Sequence, residues 1–334
     1  MRPSVGRILK DESQKACGAG PRPARGSQPR LHVRDELRPH SATIQGAVSP
    51  AGTRLRAVAL LLSASLLFAA ATFDQALNLY YQAQYSGAIA ILLQLPSGAR
   101  VQTLLGQSYF QEGEYHKASQ SLEKAVALDP ANSMAHTWLG RSYGRRAETG
   151  FPLAAPALAG KARDAFEKAV KLDPSNGEGI DDLFEYYLSA PAFLGGGVDK
   201  ARGLVPQITK NDPAEGHFAL ARIDEHLKQF ASAEEHLRQA ILLGPKQPGR
   251  VVDLAQFLAR RARFEESERT FAQAASLEPD APRLLYAHAE TWIRAKRNLE
   301  QARQYLNRYL GANLTSDDPT RTDARRLLRK LEGN

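Results

Sequence analysis

The chain has 334 residues, a formal net charge of +8 and a single cysteine. One cysteine excludes an internal disulfide and any metal site that needs two cysteine ligands. The charge is uneven, because residues 1–56 hold eleven basic and four acidic side chains while the remainder is nearly neutral. The positive charge therefore gives little reason to expect nucleic-acid binding by the rest of the chain, and we predict no nucleic-acid partner.

Residues 1–56 are rich in proline, glycine and charge, a composition that does not support a packed core, so we predict a basic disordered extension. An uncharged apolar run, residues 57–71, follows Arg54 and Arg56 and ends in three alanines. A basic start, a short apolar core and a small-residue end predict a secretory signal peptide. The run is shorter than the ~20 residues that usually span a bilayer. An uncleaved membrane anchor and a buried repeat helix are the alternatives.

The position of this run is unusual for a signal peptide, because a long extension precedes Arg54. One hypothesis is that translation starts downstream, for instance at Val48 or Leu55, so that residues 1–56 are largely untranslated or are removed. If Met1 is the true start, an uncleaved anchor with a basic cytoplasmic tail is favoured. We predict an exported, periplasmic protein, which is membrane-attached through residues 57–71 only if that run is kept.

A two-helix pattern recurs along residues 72–316 and usually ends near a proline. Its clearest copy has these positions: Leu105, Gly106, Tyr109, Gly113, Tyr115, Ala118, Leu122, Ala125 and Pro130. Aligning the copies on the small residue of the second helix gives seven positions, which are Ala88, Ala118, Ala162, Ala201, Ala233, Ser267 and Ala302. Internal repeats of this period predict stacked supersecondary units rather than a single-centred core.

The recurring residues have packing reasons. Gly106 lets the second helix approach the first closely, and Ala118 is small because the helix crossing leaves little room. The units that contain Ala162 and Ala201 are longer, and we predict extra residues between their two helices, at 149–160 and 189–197. A final helix within residues 317–334 is expected to cap the last unit, since a bare terminal repeat would leave its core open to water.

A unit of about 34 residues with these positions resembles the tetratricopeptide repeat. The resemblance implies an all-α fold, a right-handed α–α solenoid of about six to seven units with a C-terminal capping helix. Two phrases, Trp138-Leu139-Gly140-Arg141 and the Tyr186-Tyr187 stretch before Gly195-Gly196-Gly197, are similar to exported bacterial proteins of this family. The resemblance implies a non-catalytic scaffold that binds a protein or peptide. The alternative is a membrane-anchored assembly or secretion factor.

In tetratricopeptide proteins the first helices of successive units line a concave groove. Transferred position by position, the resemblance assigns to this partner-binding groove Tyr80, Tyr81, Phe110, Arg141, Arg145, Glu178, Asp181, Glu185, Arg222, Glu225, His226, Gln256 and Arg260. Aromatic and arginine side chains are frequent binding anchors. The alternating charges indicate a polar extended peptide or a charged protein face. A solvated inner surface with no dedicated ligand is the competing interpretation.

Catalytic patterns are weak. Residues 140–144 fit the glycine-x-serine-x-glycine pattern of hydrolases, but that motif works only on a sharp strand-to-helix turn, and no strand is predicted near Ser142. The histidines lack the spacing of a helical zinc pair. We therefore predict no enzymatic activity, no metal, no cofactor and no small-molecule substrate. An enzyme on this scaffold would need titratable residues that converge in one pocket.

Overall fold

The computed structural model describes residues 72–332, and it contains helices but no strand in that range. The predicted basic extension and the apolar run at residues 57–71 lie outside the described residues. The α-helices of the described part are α1 Phe73–Tyr81, α2 Tyr85–Leu92, α3 Ala99–Gln111, α4 Tyr115–Leu128, α5 Ser133–Thr149, α6 Ala155–Leu172, α7 Gly177–Ser189, α8 Val198–Asn211, α9 Pro213–His226, α10 Phe230–Leu243, α11 Pro248–Arg260, α12 Phe264–Leu277, α13 Pro282–Ala295, α14 Leu299–Leu310 and α15 Arg321–Glu332. Among these helices, none is long and apolar enough to cross a membrane.

The helices pair in order into seven hairpins, from α1–α2 to α13–α14, and each hairpin packs on the next. Helix α15 packs on α14 and α13 at the end of the row. The predicted α–α solenoid with a capping helix is therefore confirmed. Neighbouring first helices contact one another, as α3 does α5 and α5 does α7, whereas each second helix contacts mainly its own partner and the next first helix. The first helices consequently line the inner side of the curved row.

The small residue used to align the repeats lies on the second helix of every hairpin, and in each it is at most 2% exposed. The glycines opposite explain how the helices approach so closely. A Cβ at Gly106 would lie 2.5 Å from Leu122 Cγ, and a Cβ at Gly140 would lie 2.5 Å from Phe166 Cε1. Both distances are well below a van der Waals contact, so these two positions need glycine.

Several prolines lie next to helix ends, as expected from the missing N–H, although Pro206 lies inside α8. Pro130 follows the end of α4, where the repeat pattern predicts a helix end, whereas Pro213 is the first residue of α9. Proline is favoured there because the first helical N–H has no partner within the helix. The side chain of Asp212 caps the same helix by accepting from the amides of Ala214 at 2.9 Å and Glu215 at 3.3 Å.

The two longer units, the third and fourth hairpins, accommodate their extra residues in different ways. Residues 149–160 were predicted to lie between the helices of the third hairpin, and this is wrong for most of them. Helix α6 already begins at Ala155, so only residues 150–154 connect it to α5. An alanine-rich sequence with a proline in the first turn extends the helix instead of forming a loop. The extra length therefore adds turns to a helix.

In the fourth hairpin the predicted connection is confirmed for residues 190–197, while Ser189 is the last residue of α7. Tyr186 on α7 donates its hydroxyl to the carbonyl of Leu194 at 2.9 Å, and the amide of Gly197 donates to Tyr187 O at 2.7 Å. Gly195 adopts a φ of 87° in the left-handed region, which favours glycine. The connection is consequently held in place by buried and backbone hydrogen bonds.

The row of hairpins curves until its two ends meet. The link is made by residues 312–320, here called the closing segment, which connect α14 to α15. The amide of Ser316 in this segment donates to Tyr81 O at the end of α1, at 3.1 Å. Ala83, in the turn of the first hairpin, packs against the apolar cluster of the last hairpin and its cap. The first and seventh units are thus neighbours in space.

Candidate inner-groove site

All thirteen predicted groove residues lie on the first helices of hairpins one to six. The structure brings six of them to one cavity and four to a second, smaller one. The first cavity contains Tyr80, Tyr81, Phe110, Arg141, Arg145 and Glu178, and the second contains Arg222, Glu225, Gln256 and Arg260. Asp181, Glu185 and His226 line neither cavity. Most of the predicted groove residues thus lie in two separate parts of the inner face.

Charged side chains join successive hairpins along this inner face. Arg141 on α5 donates from Nε to the Asp182 carboxylate on α7 at 2.5 Å, and its Nη1 lies 2.9 Å from a Glu178 oxygen. The Arg141 side chain is only 2% exposed, and its guanidinium carbon lies 4.6 Å from the centre of the Trp138 ring. Arg141 is therefore fixed between its own helix and the next hairpin.

The pattern continues in the middle of the row. Arg222 on α9 donates to both oxygens of Glu185 on α7, at 3.1 and 2.8 Å. Arg260 on α11 donates in the same two-point manner to Glu225 on α9, at 2.7 and 2.9 Å. Two-point contacts of this kind are geometrically specific and strong. We call this series of pairs, from Arg141 to Arg260, the ion-pair ladder.

The environment of Glu225 shows how the ladder is balanced. Burial raises the pKa of the Glu225 carboxyl, but the charges of Arg260 and Arg222 outweigh that effect, so its pKa is lowered overall. The carboxylate is only 6% exposed, yet it remains ionised because guanidinium groups contact it. The ladder thus consists of charges that compensate one another across hairpins.

These contacts change the interpretation of the predicted arginine anchors. Arg141 and Arg145 are 2% and 7% exposed, and both are already engaged in ion pairs. Tyr80 and Phe110 are buried as well, and burial raises the pKa of the Tyr80 hydroxyl far above its usual range. Tyr81, by contrast, is 54% exposed. The inner face presents fixed, mostly buried groups at these positions instead of free side chains.

The first cavity has a volume of about 320 Å³ and lies where the closing segment faces the first three hairpins. Five aromatic rings line it, from Tyr80, Tyr81, Phe110, Tyr115 and Trp138. Phe110 is central to this group, since its ring centre lies 5.3 Å from those of both Tyr115 and Trp138. We call this space the closure cavity. It is large enough for a side chain of a bound molecule.

The second cavity is different, because only about 10 Å³ of it is open. That volume is no larger than one water-sized probe. Its polar walls, Arg222, Glu225 and Arg260, fill the space by pairing with one another. This part of the inner face consequently offers a surface but no pocket.

Sequence reasoning missed several residues of the closure cavity. These are Tyr115, Asp323 and the closing-segment residues Ser316, Asp317 and Asp318. The closing segment has no groove-like pattern, and it lies more than 200 positions from Tyr81 in the chain, so no local signal could place it there. Asp182, the buried partner of Arg141, was also missed. Its position four residues after Glu178, on the same helix face, was the available signal.

The hydrolase-like serine has a structural role. Ser142 is fully buried, and its hydroxyl donates to Trp138 O one turn earlier at 2.8 Å. Ser142 lies in the middle of α5, not at a strand-to-helix turn, so this position does not have the geometry of a nucleophile elbow. Within residues 72–332, no group of three or more histidine, cysteine, aspartate or glutamate side chains is arranged to hold a metal ion.

Comparison with known proteins supports the repeat assignment. Residues 106–145 match a family described as TPR repeat, and residues 252–318 match one described as tetratricopeptide repeat.

A tetratricopeptide repeat protein from Parabacteroides merdae has a similar structure, with a TM-score of 0.51 and 12% identity over 78% of this chain and 97% of that chain. Two further structures are those of Pseudomonas aeruginosa PilF and the C-terminal part of a TPR repeat-containing protein from Cytophaga hutchinsonii. PilF has a TM-score of 0.40 and 17% identity over 63% of this chain and 89% of that chain. The Cytophaga protein has a TM-score of 0.42 and 14% identity over 77% of this chain and 99% of that chain.

No curated protein sequence matches the chain. The repeat matches cover residues 106–145 and 252–318, and the row of seven hairpins has the architecture that tetratricopeptide repeats build. Such repeats build extended concave surfaces, which are typically used for binding other proteins.

Proposed function

We propose that this protein is a non-catalytic scaffold that holds an extended segment of a protein partner against its inner face. The observation that carries the proposal is the inner face itself, on which first helices of successive hairpins place aromatic and charged groups at fixed positions. A surface whose charges are already paired needs little rearrangement on binding, which favours affinity.

The test is partner capture followed by reconstitution. Native extract is passed over the immobilised protein, captured proteins are identified by mass spectrometry, and binding of the purified candidate is measured by calorimetry. The informative variant is Tyr81→Ala, because Tyr81 is exposed on the inner side. Charge reversal at Arg141 would test folding instead, since that side chain is buried. The matched control is Leu242→Ala, an exposed apolar residue on the second helix α10.

Loss of binding in the Tyr81 variant alone supports the inner face as the partner surface. Equal binding by the wild type and this variant, with loss in the outer variant, would move the partner to the outer helices.

We also propose that the protein is exported from a bacterial cell by means of residues 57–71, which have the composition of a signal peptide. Cell fractionation and mass spectrometry of the native N-terminus test this. A mature chain that begins just after residue 71 in the periplasmic fraction supports export. Recovery in the membrane fraction after an alkaline wash would instead indicate an anchored protein, and peptides from residues 1–40 would exclude a downstream start.

A further inference from the structure

We propose that the turns of the third and fourth hairpins dock on a lipid bilayer that contains anionic lipids, and that Phe151, Leu153 and Phe193 are the side chains that enter it. The proposal goes beyond the scaffold function, because it concerns one edge of the row of hairpins and not its inner face. Unlike attachment through residues 57–71, this docking uses only residues of the folded row.

The first argument is the exposure of three apolar side chains. Leu153, Phe193 and Phe151 are 83%, 79% and 70% exposed, which are the three highest values for a large apolar side chain within residues 72–332. Phe151 and Leu153 lie in the connection 150–154 of the third hairpin, and Phe193 lies in the connection 190–197 of the fourth. We call these three residues the apolar tips. Exposed apolar side chains that lie together mark sites of protein or membrane interaction.

The second argument is that the two connections are neighbours in space. Leu194, next to Phe193, belongs to the same apolar cluster as Ala159 of α6. Its carbonyl accepts a hydrogen bond from Arg163 Nη1, also on α6, at 3.3 Å. The connection of the third hairpin leads directly into α6, which begins at Ala155. The apolar tips of both hairpins therefore lie around the first turns of one helix, and neither connection contains a charged residue.

The third argument is that stacking of the repeats does not require the apolar tips. The hairpins stack in one orientation, since first helices contact first helices, so their turns follow one edge of the row. The turns of the other five hairpins have three residues each, namely 82–84, 112–114, 227–229, 261–263 and 296–298. Leu227 is the one large apolar residue in these five turns. The extra residues of the two longer units are therefore what adds the exposed apolar groups.

The fourth argument is the charge of this edge. From the third hairpin to the seventh, the turns contain no acidic residue and five basic ones, which are Lys228, Arg261, Arg263, Lys296 and Arg297. Arg263 is paired with Glu234 and Glu266, whereas no ion pair within residues 72–332 involves the other four. Basic groups beside exposed apolar side chains are the combination that binds anionic lipid surfaces.

The charges directly beside the apolar tips are balanced. Lys161 on α6 and Lys200 on α8 are exposed, and so are Asp164 and Asp199 on the same two helices. We therefore expect the preference for anionic lipid to come from the turns of the fifth to seventh hairpins, while the apolar tips supply contact with the acyl chains.

The opposite edge of the same hairpins has the reverse charge. The connections between successive hairpins from α4 to α13 contain one basic residue, Lys246, and five acidic ones, which are Asp129, Asp173, Asp212, Glu278 and Asp280. Exposed leucines such as Leu128 and Leu242 occur there too, but an anionic bilayer repels the carboxylates of that edge. The charge of the row therefore selects which edge faces the lipid.

Charge also argues against a second copy of the chain as the occupant. Two copies that met through the apolar tips would bring their basic turns together, and like charges across an interface are unfavourable. A bilayer with anionic headgroups instead places apolar chains opposite the apolar tips and phosphate groups opposite the basic turns.

The experiment places an environment-sensitive label at one edge or at the other. The chain has a single cysteine, so the full-length variant Cys17→Ser/Leu153→Cys carries an NBD label only at an apolar tip. The matched control is Cys17→Ser/Leu242→Cys, which carries the label at the opposite edge. Each protein is titrated with vesicles of phosphatidylcholine alone and of an equal mixture of phosphatidylcholine and phosphatidylglycerol.

With the mixed vesicles we expect a blue shift and a gain of NBD emission at position 153 and no change at position 242. The response should be at least tenfold weaker with phosphatidylcholine alone, and added salt should reduce it, because salt screens the basic turns. Attachment of the chain through residues 57–71 alone would leave both labels in water, so the comparison of the two positions separates the two modes.

Two further variants in the background labelled at position 153 test the apolar tips. Phe151→Ser/Phe193→Ser should raise the lipid concentration at half response about tenfold, because two apolar side chains no longer enter the bilayer. Leu128→Ser/Leu243→Ser is the matched control, since both leucines are exposed at the opposite edge, and it should leave the titration unchanged. Circular dichroism checks that each variant is folded.

Charge reversal of two exposed turn residues tests the basic edge. Lys228→Glu/Lys296→Glu should weaken the response to the mixed vesicles several-fold and leave the response to phosphatidylcholine alone unchanged. A change that depends on lipid charge cannot be produced by mere loss of folding.

Equal responses at positions 153 and 242, or equal responses to the two kinds of vesicle, would overturn the proposal. Absence of any response to vesicles would also overturn it. If sedimentation without lipid then showed self-association that Phe151→Ser/Phe193→Ser abolishes, a second copy would replace the bilayer as the occupant. None of these outcomes bears on the scaffold function, which the partner capture described above tests separately.

Discussion

Arg260 on α11 holds Glu225 on α9 through two parallel hydrogen bonds, Nε to Oε1 at 2.7 Å and Nη2 to Oε2 at 2.9 Å. The two residues are one hairpin apart, and the carboxylate is 6% exposed. The pair therefore joins two repeats by a contact that depends on both partners. It shows that part of the charge on the inner face has a structural use.

Replacement of Arg260 by methionine should destabilise the fold by about 2 kcal/mol, because the buried Glu225 carboxylate then keeps only its longer ion pair with Arg222, at 3.9 Å. Chemical denaturation measures the free energy of unfolding. The double variant Glu225→Gln/Arg260→Met should lose less than the sum of the single changes. Arg238→Met is the control, since Arg238 is 53% exposed in its pair with Glu234 and should cost less than about 0.5 kcal/mol. Additive single effects would contradict the coupling.

Gly140→Ala should destabilise the protein by about 2 kcal/mol or more, because the new methyl group would overlap the buried ring of Phe166. The matched control is Gly160→Ala within α6, where an added Cβ meets nothing within 4 Å. There the alanine should stabilise the protein by up to about 1 kcal/mol, since glycine is a poor helix former. Thermal unfolding of both variants gives the comparison, and effects of equal sign would refute the close-approach explanation.

Asp317→Asn should raise the thermal midpoint at pH 7. The pKa of Asp317 is raised in the folded state, so the folded protein binds this proton more tightly than the unfolded chain does. The ionised carboxylate therefore costs stability above the folded pKa, and this cost disappears as the pH falls. We expect the advantage of the variant to shrink on acidification and to vanish below the unfolded pKa, about 3.9.

Asp182→Asn should lower the thermal midpoint at pH 7, the opposite of the effect expected for Asp317→Asn. The reason is that it removes a carboxylate in contact with Arg141. Differential scanning calorimetry from pH 7 to pH 3.5 measures both variants. A lower midpoint for Asp317→Asn at pH 7 would show that the carboxylate stabilises the empty cavity.

Truncation after Gly311 tests the contact between the two ends. We expect amides of α13 and α14 to lose protection from hydrogen exchange, because α15 no longer covers them. We also expect loss in α1 and α2, because the Ser316 contact to Tyr81 O is gone. Leu331→Ala is the control, since it weakens the apolar packing of α15 but leaves the Ser316 contact to Tyr81 in place. Unchanged exchange in α1 and α2 of the truncated chain would mean that the ends do not hold each other.

The recurring small residues, with glycines such as Gly106, were sufficient to predict the stacked hairpins, because these positions report local packing that repeats. The length of α6 was predicted poorly, since residues 155–160 were assigned to a connection. The burial of Arg141 could not be foreseen, because arginine is ordinarily exposed and its partner Asp182 is 41 positions away. The closure cavity could not be predicted from the sequence, because one of its walls comes from the other end of the chain.

The contact between the first hairpin and the closing segment affects how the protein comes apart. A row of repeats with two bare ends can unzip from either one, each unit melting almost independently of those farther away. Here the first hairpin and the closing segment contact each other, so local unfolding at one end of the row also exposes the unit at the other end. Unfolding from either end therefore requires that the contact between the two ends is broken first. We expect this requirement to make unfolding of the repeats more cooperative than the number of repeats alone implies.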